Sequence, residues 1–237
     1  MEIAPGIRRL GPGLVNAYLV EEQGGVTIVD AGAAGYWNAL PTELAAMGRA
    51  LDDVKAVVLT HAHSDHIGFA ERIRRERGVP IRVHVDDVPL TKRPSTPKWQ
   101  GSLGLGALRF IAFAIGAGML RTPPPILEVG MFADGDTIDV PGRPRIVHAP
   151  GHSPGSAAIV LEHRDVAFVG DAFVTLDVLS GATGPRISPF NGDRAMAIAS
   201  LSRLEPIAAR IALPGHGAPW TQGLRAALAE VRRVTPT

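Results

Sequence analysis

The chain of 237 residues has no cysteine. Disulfide staples and thiolate metal ligation are both excluded, so any metal must be held by nitrogen and oxygen donors. It also lacks a charge excess: 24 Lys and Arg stand against 23 Asp and Glu, a formal net charge of +1. The single basic cluster, Arg72 to Arg77, fits an exposed helix face, so no nucleic-acid partner is expected. Met1 to Leu10 holds Arg8 and Arg9 but no apolar core follows, which predicts no signal peptide and a cytoplasmic location. One apolar run, Leu103 to Leu120, reaches membrane-spanning length, yet it holds four glycines and Arg109. It is expected to be a helical insertion, at about residues 89–130, that covers a site or makes a homodimer contact, with no membrane partner.

What is present is one large domain's worth of chain, with 46% hydrophobic residues. Its centre is Thr60-His61-Ala62-His63-Ser64-Asp65-His66, directly after the apolar run Val54 to Leu59. The run reads as a buried strand and Ile67 to Arg77 as a helix closed by Gly78. The cluster therefore lies on a strand-to-helix turn. His61 and His63, two apart, fall on one side of extended backbone and can share a metal. Asp65 and His66 follow where the chain turns and can reach a second. Imidazole and carboxylate suit zinc first, and iron or manganese as well.

The remainder alternates strands and helices. Val15–Val20 and Val26–Val29 read as a hairpin, and Tyr36–Gly48 as a helix that Pro41 opens or interrupts. Ile81–Val85, Thr137–Val140, Arg145–Ala149, Ala157–Leu161, Val166–Val169 and Ile211–Leu213 read as strands. Val174–Pro189 is expected to be irregular, Asp193 to cap a helix, and Thr221–Val234 to form the last one. Strand ends carry Asp30, the Gly151-His152-Ser153-Pro154-Gly155 turn, Gly170-Asp171 and Gly215-His216-Gly217, the place where α/β folds gather their sites. Asp30 either orients a histidine or caps its turn. His84 and His148 read as strand positions and His163 as a hairpin tip. Ser64 and Ser153 read as turn residues.

Taken together in this order, His-x-His-x-Asp-His, Gly-His-Ser-x-Gly, Gly-Asp and Gly-His-Gly resemble the metallo-β-lactamase superfamily. The likeness runs from Asn16-Ala17-Tyr18-Leu19 and Asp30-Ala31-Gly32 through His216. It implies an α/β fold of four layers, an αββα sandwich of two mixed sheets with the metals at one edge. It implies that His61, His63 and His152 bind one metal, that Asp65, His66 and His216 bind a second, and that Asp171 bridges them. It further implies two divalent ions, zinc by preference.

An aspartate at the bridge, with no cysteine in the chain, is similar to glyoxalase II and the lactonases rather than to the commonest zinc β-lactamases. The expected activity is hydrolysis of a small ester, thioester or lactone, with Asp65 steering a metal-activated water and moving its proton. An iron-dependent, persulfide dioxygenase-like reaction and β-lactam hydrolysis are the alternatives. A purely structural zinc is disfavoured, because such sites close with four ligands and prefer cysteine. Phe113 and Met119 of the apolar segment, and Phe173 beside Asp171, are the candidate pocket walls.

Overall fold

The computed structural model describes residues 1–101 and 103–235. Seven strands form the first sheet in chain order: β1 (Glu2–Ala4), β2 (Ile7–Leu10), β3 (Ala17–Glu22), β4 (Gly25–Val29), β5 (Val54–Val58), β6 (Ile81–His84) and β7 (Gly130–Phe132). Strands β1 to β4 meander antiparallel, and β4 to β7 run parallel. The second sheet holds β8 (Arg145–His148), β9 (Ala157–Leu161), β10 (Val166–Gly170) and β13 (Ile211–Pro214), in the order β13-β10-β9-β8. A separate hairpin pairs β11 (Val174–Leu176) with β12 (Thr183–Arg186). The helices are α1 (Leu40–Ala45), α2 (Ala70–Arg77), α3 (Val88–Lys92), α4 (Leu105–Gly116), α5 (Arg194–Ser200) and α6 (Leu224–Val234).

Side-chain alternation along the strands builds the layers. Tyr18 and Val20 of β3, Ala56 and Val58 of β5, Ile159 of β9, Phe168 of β10 and Leu213 of β13 meet in one apolar cluster between the sheets. The alternate residues point outward. Leu19, Val57 and Leu59 pack with Leu40, Leu44 and Ile73 of α1 and α2. Ala158, Ala167 and Ala212 pack with Leu201 and with Leu224, Leu228 and Val231 of α6. Two sheets, each with one face on the other and one under helices, make the expected αββα sandwich.

Several local readings shift. Tyr36–Gly48 splits into a 3-10 turn over Ala34–Asn38 and then α1, with Pro41 in the first helical turn. Helix α2 starts at Ala70, three residues later than its apolar spacing predicts, because Gly68 is pinned by a 2.8 Å bond from its N–H to Gly32 O. Thr137–Val140 contributes one isolated bridge, Thr137 to Arg145, instead of a strand. Val174–Pro189 holds the β11–β12 hairpin, closed by Asp177 accepting from the N–H groups of Leu179 and Ser180. Between β6 and β7 lie α3 and α4 with irregular chain around them. Among the described residues no helix is long and apolar enough to cross a membrane.

Phe168 lies in the apolar cluster between the sheets, 1% exposed with its ring centroid 5.3 Å from that of Tyr18. Phe168→Ala should lower the unfolding free energy by about 3–5 kcal/mol in denaturant titration. Leu127→Ala, at a residue 70% exposed, should change it by less than about 0.5 kcal/mol.

Candidate metal centre

Strands β4, β5 and β6 run in one direction, and β8, β10 and β13 share a direction in the other sheet. Their C-terminal ends deliver Asp30, the Thr60–His66 turn, Asp87, His152, Asp171 and His216 to one edge of the sandwich. His61 and His66 are fully buried, and His63, His152, Asp171 and His216 are at most 5% exposed.

Two triplets of ligand atoms form there, His61/His63/His152 and Asp65/His66/His216. In the first, His152 Nε2 lies 2.8 Å from His63 Nδ1 and 3.1 Å from His61 Nε2. In the second, His216 Nε2 is 3.4 Å and His66 Nε2 3.8 Å from Asp65 Oδ2. Asp171 faces both triplets. Its Oδ2 is 3.5 Å from His152 Nε2 and 3.2 Å from His216 Nε2, and its Oδ1 is 3.8 Å from His66 Nε2. Asp171 Oδ1 and His66 Nε2 are buried without a hydrogen-bond partner. Ring nitrogens and carboxylate oxygens converging this closely, with buried atoms left unsatisfied, are what a cation stabilises. The donor set fits a divalent metal.

The two triplets differ in charge. Burial, then the neighbouring cationic imidazoles, holds His61 well below the usual histidine range. Burial, then His152, brings His63 down to about 3. Burial also brings His152 to about 4 against the opposing pull of Asp171. Burial works against charge on His216 too, but Asp171 and then Asp65 outweigh it and hold its pKa well above normal. His66 is raised in the same way, burial being overcome by Asp65 and Asp30. Asp171 and Asp65 sit far below the carboxylate range, their burial overcome chiefly by His216 and by His66 respectively. The surroundings of the first triplet thus favour neutral imidazoles, whereas the carboxylates beside the second favour protonated ones.

The family model of the metallo-beta-lactamase superfamily matches residues 10–216. The chain belongs to that superfamily. Its members are generally metal-dependent hydrolases. A probable metallo-hydrolase of Bacillus subtilis (strain 168), YflN, is 26% identical over 246 residues, covering 93% of this chain and 87% of its own. The metallo-β-lactamase family protein TTHA1429 of Thermus thermophilus superposes with a TM-score of 0.68 at 27% identity, covering 96% of this chain and 78% of that one. TTHA1623, solved in a di-iron-bound form, superposes at 0.63 with 29% identity, covering 93% and 96%.

In this superfamily member the orienting contacts are specific. Asp30, in the left-handed region at φ 61°, accepts from Thr60 N at 2.7 Å and Thr60 Oγ1 at 2.8 Å, and from His66 Nδ1 at 3.0 Å. Thr60 Oγ1 in turn lies 3.0 Å from His61 Nδ1. One carboxylate therefore aims Nε2 of both His61 and His66, so its role exceeds a turn cap. His216 Nδ1 donates to Leu14 O. Asn16 donates from Nδ2 to Pro214 O and Gly217 O, and Tyr18 OH also donates to Pro214 O. Gly215 cannot carry a Cβ, which would collide with Asp171 Oδ1 and His66.

The seven expected ligands are brought together, and Asp30 beside them. Met119, with Ala33, Ser64, Asp65 and Arg121, lines a cavity of about 110 Å³ at the site. Phe113 packs on the core, edge-on to Tyr36. Phe173 is no pocket wall: the bend at Ala172–Phe173 turns its ring into the apolar layer outside the second sheet, where it is fully buried. His84 stacks on His148 with ring centroids 4.0 Å apart, and His148 Nε2 donates to Pro154 O at 2.8 Å, bracing the His152 turn. His163 is an exposed tip paired with Glu22.

Sequence reasoning missed Asp87. Fully buried, it accepts from Ala62 N and Ser153 Oγ at 2.8 Å on Oδ2 and from Gly155 N at 2.6 Å on Oδ1. It ties the His61–His63 turn to the His152 turn. The signal was an acidic pair, Asp86-Asp87, directly after a strand that ends at the site edge. Asp87→Ala strands three donors and should destabilise the fold by about 3 kcal/mol or more. It should also weaken metal binding at the first triplet more than at the second, read by chelator competition. Equal weakening at both would make Asp87 merely structural.

Proposed function

We propose that the chain hydrolyses a small ester, thioester or lactone using two divalent metal ions. His61, His63 and His152 would hold one, and Asp65, His66 and His216 the other. Asp171 would lie between them. The observation that carries the reading is Asp171 itself, a buried carboxylate within 3.8 Å of imidazole nitrogens from both triplets. When bound, such ions supply Lewis acidity and bring the pKa of water toward neutrality.

The chain's own residues support a water nucleophile. Ser64 Oγ pairs with Thr96 Oγ1, and Ser153 Oγ donates to Asp87, so neither hydroxyl meets a histidine base. Asp65 is ionised and borders the cavity. It would orient the attacking water and relay a proton to the leaving group. Met119 and Leu120 give that cavity an apolar wall and Arg121 a cationic one. The mixture suits an acyl compound with a polar end.

Zinc is the first expectation for the donor set. The di-iron form of TTHA1623, at 29% identity, supports iron as well, and with it the reading of an iron-dependent oxidoreductase. Metal-reconstituted protein should be assayed on aryl esters, thioesters and lactones, and for oxygen consumption with a glutathione persulfide. Hydrolysis without oxygen uptake is the expected result, and oxygen uptake alone would favour the second reading. Asp171→Ala should lower kcat at least about a hundredfold. His84→Ala should cost less than about threefold. Equal turnover per bound metal in the two variants would contradict the assignment.

A further inference from the structure

Helix α4 sets one face on the protein and turns the other to water. Phe113 and Ala117 join the core outside the first sheet, and Gly106 fits closely against the backbone of Val178 and Gly181. On the opposite side Leu105, Leu108, Ile111 and Ile115 follow at helical spacing and are 54–86% exposed. Leu103 and Leu120, at either end, are 70% and 74% exposed. An aliphatic surface of this extent is a site of contact.

Charge identifies the contact. From Val88 to Leu127 there is no Asp or Glu, while Lys92, Arg93, Lys98, Arg109 and Arg121 are all exposed. None of the five forms an ion pair among the described residues. Removing them from the chain's 24 Lys and Arg leaves 19 against 23 Asp and Glu. The segment that carries the exposed aliphatic stripe is thus net cationic, and the rest of the chain taken together is net anionic. A second copy of the chain is a poor occupant, because a two-fold contact would bring these cations together.

We propose that α4 and its flanking basic residues dock on an anionic lipid surface. The aliphatic stripe would sink to the boundary of headgroups and acyl chains, and the cations would meet lipid phosphates. Lying on a bilayer asks much less of a helix than crossing one, which the 12 residues of α4 do not do. The loop that follows the helix, Gly118 to Pro123, lines the cavity at Asp65. Docking therefore sets the mouth of the metal centre at the lipid surface, where an amphipathic ester dissolved in the membrane could enter. That last consequence rests on the hydrolase reading, whereas the docking does not.

The test is co-sedimentation of the full chain with two kinds of vesicle, phosphatidylcholine alone and equal parts of phosphatidylcholine and phosphatidylglycerol. Binding to the mixed vesicles should exceed binding to the neutral ones by at least about tenfold and should fall as salt is raised. The double variant Leu108→Asp, Ile115→Asp should lose at least about tenfold of that binding. Both substitutions are at exposed positions, so melting temperature and metal content should be retained. A folded wild type that stays in solution with both vesicles overturns the proposal, as does undiminished binding by the double variant. Self-association that the variant abolishes, without vesicle binding, also overturns it and identifies a second copy as the occupant. Failure to bind with ester hydrolysis intact removes the docking alone. Binding without hydrolysis leaves the docking standing and removes the hydrolase reading.

Discussion

Five imidazoles and two carboxylates share one largely buried edge of this molecule, and their approach to one another constrains everything around them. Unpaired, polar groups at such depth cost several kcal/mol each. Here they compensate each other only in part. Asp65 and Asp171 raise the pKa values of His66 and His216. Three imidazoles whose pKa values are lowered are left with their ring nitrogens turned on one another. The arrangement is stable as a receptacle for positive charge, and the surrounding contacts keep it from collapsing otherwise.

Those contacts come from both sheets. Asp30 and Thr60 aim His61 and His66 from the ends of β4 and β5. Asp87, just past β6, clamps the turns of His63 and His152 across the gap between the sheets. Asn16 and Tyr18 of the first sheet grip the Pro214–Gly217 turn of the second. Packing in the interior fixes where the sheets lie. These hydrogen bonds translate that placement into ligand directions, as a site held by supporting contacts requires.

Much of this was legible from residue order alone, since strand runs ending in His or Asp point to one edge of an α/β fold. The four layers came with the family likeness, and the structure then divides alternate residues of β3, β9 and β10 between the two faces of each sheet. Asp87 was not legible, because its partners Ser153 and Gly155 lie more than sixty residues away. Phe173 misled, being two residues from Asp171 in sequence but turned from it by the bend at Ala172–Phe173. The start of α2 moved because Gly68 answers to Gly32 rather than to helical spacing. The β11–β12 hairpin escaped because its strands are only three and four residues long.

The central proposal is that two unlike metal sites would meet at Asp171. It is tested most directly by titrating metal-free protein with Zn²⁺ in a calorimeter between about pH 6 and about pH 8. His63 and His152, brought to about 3 and about 4, are already neutral throughout that range. His66 and His216 have raised pKa values, so a metal competes with protons there more than at the first triplet. The account predicts two classes of site: one whose affinity is nearly flat with pH, and one whose affinity climbs as pH rises, with protons released. A single class of site, or two classes with the same pH dependence, would contradict it.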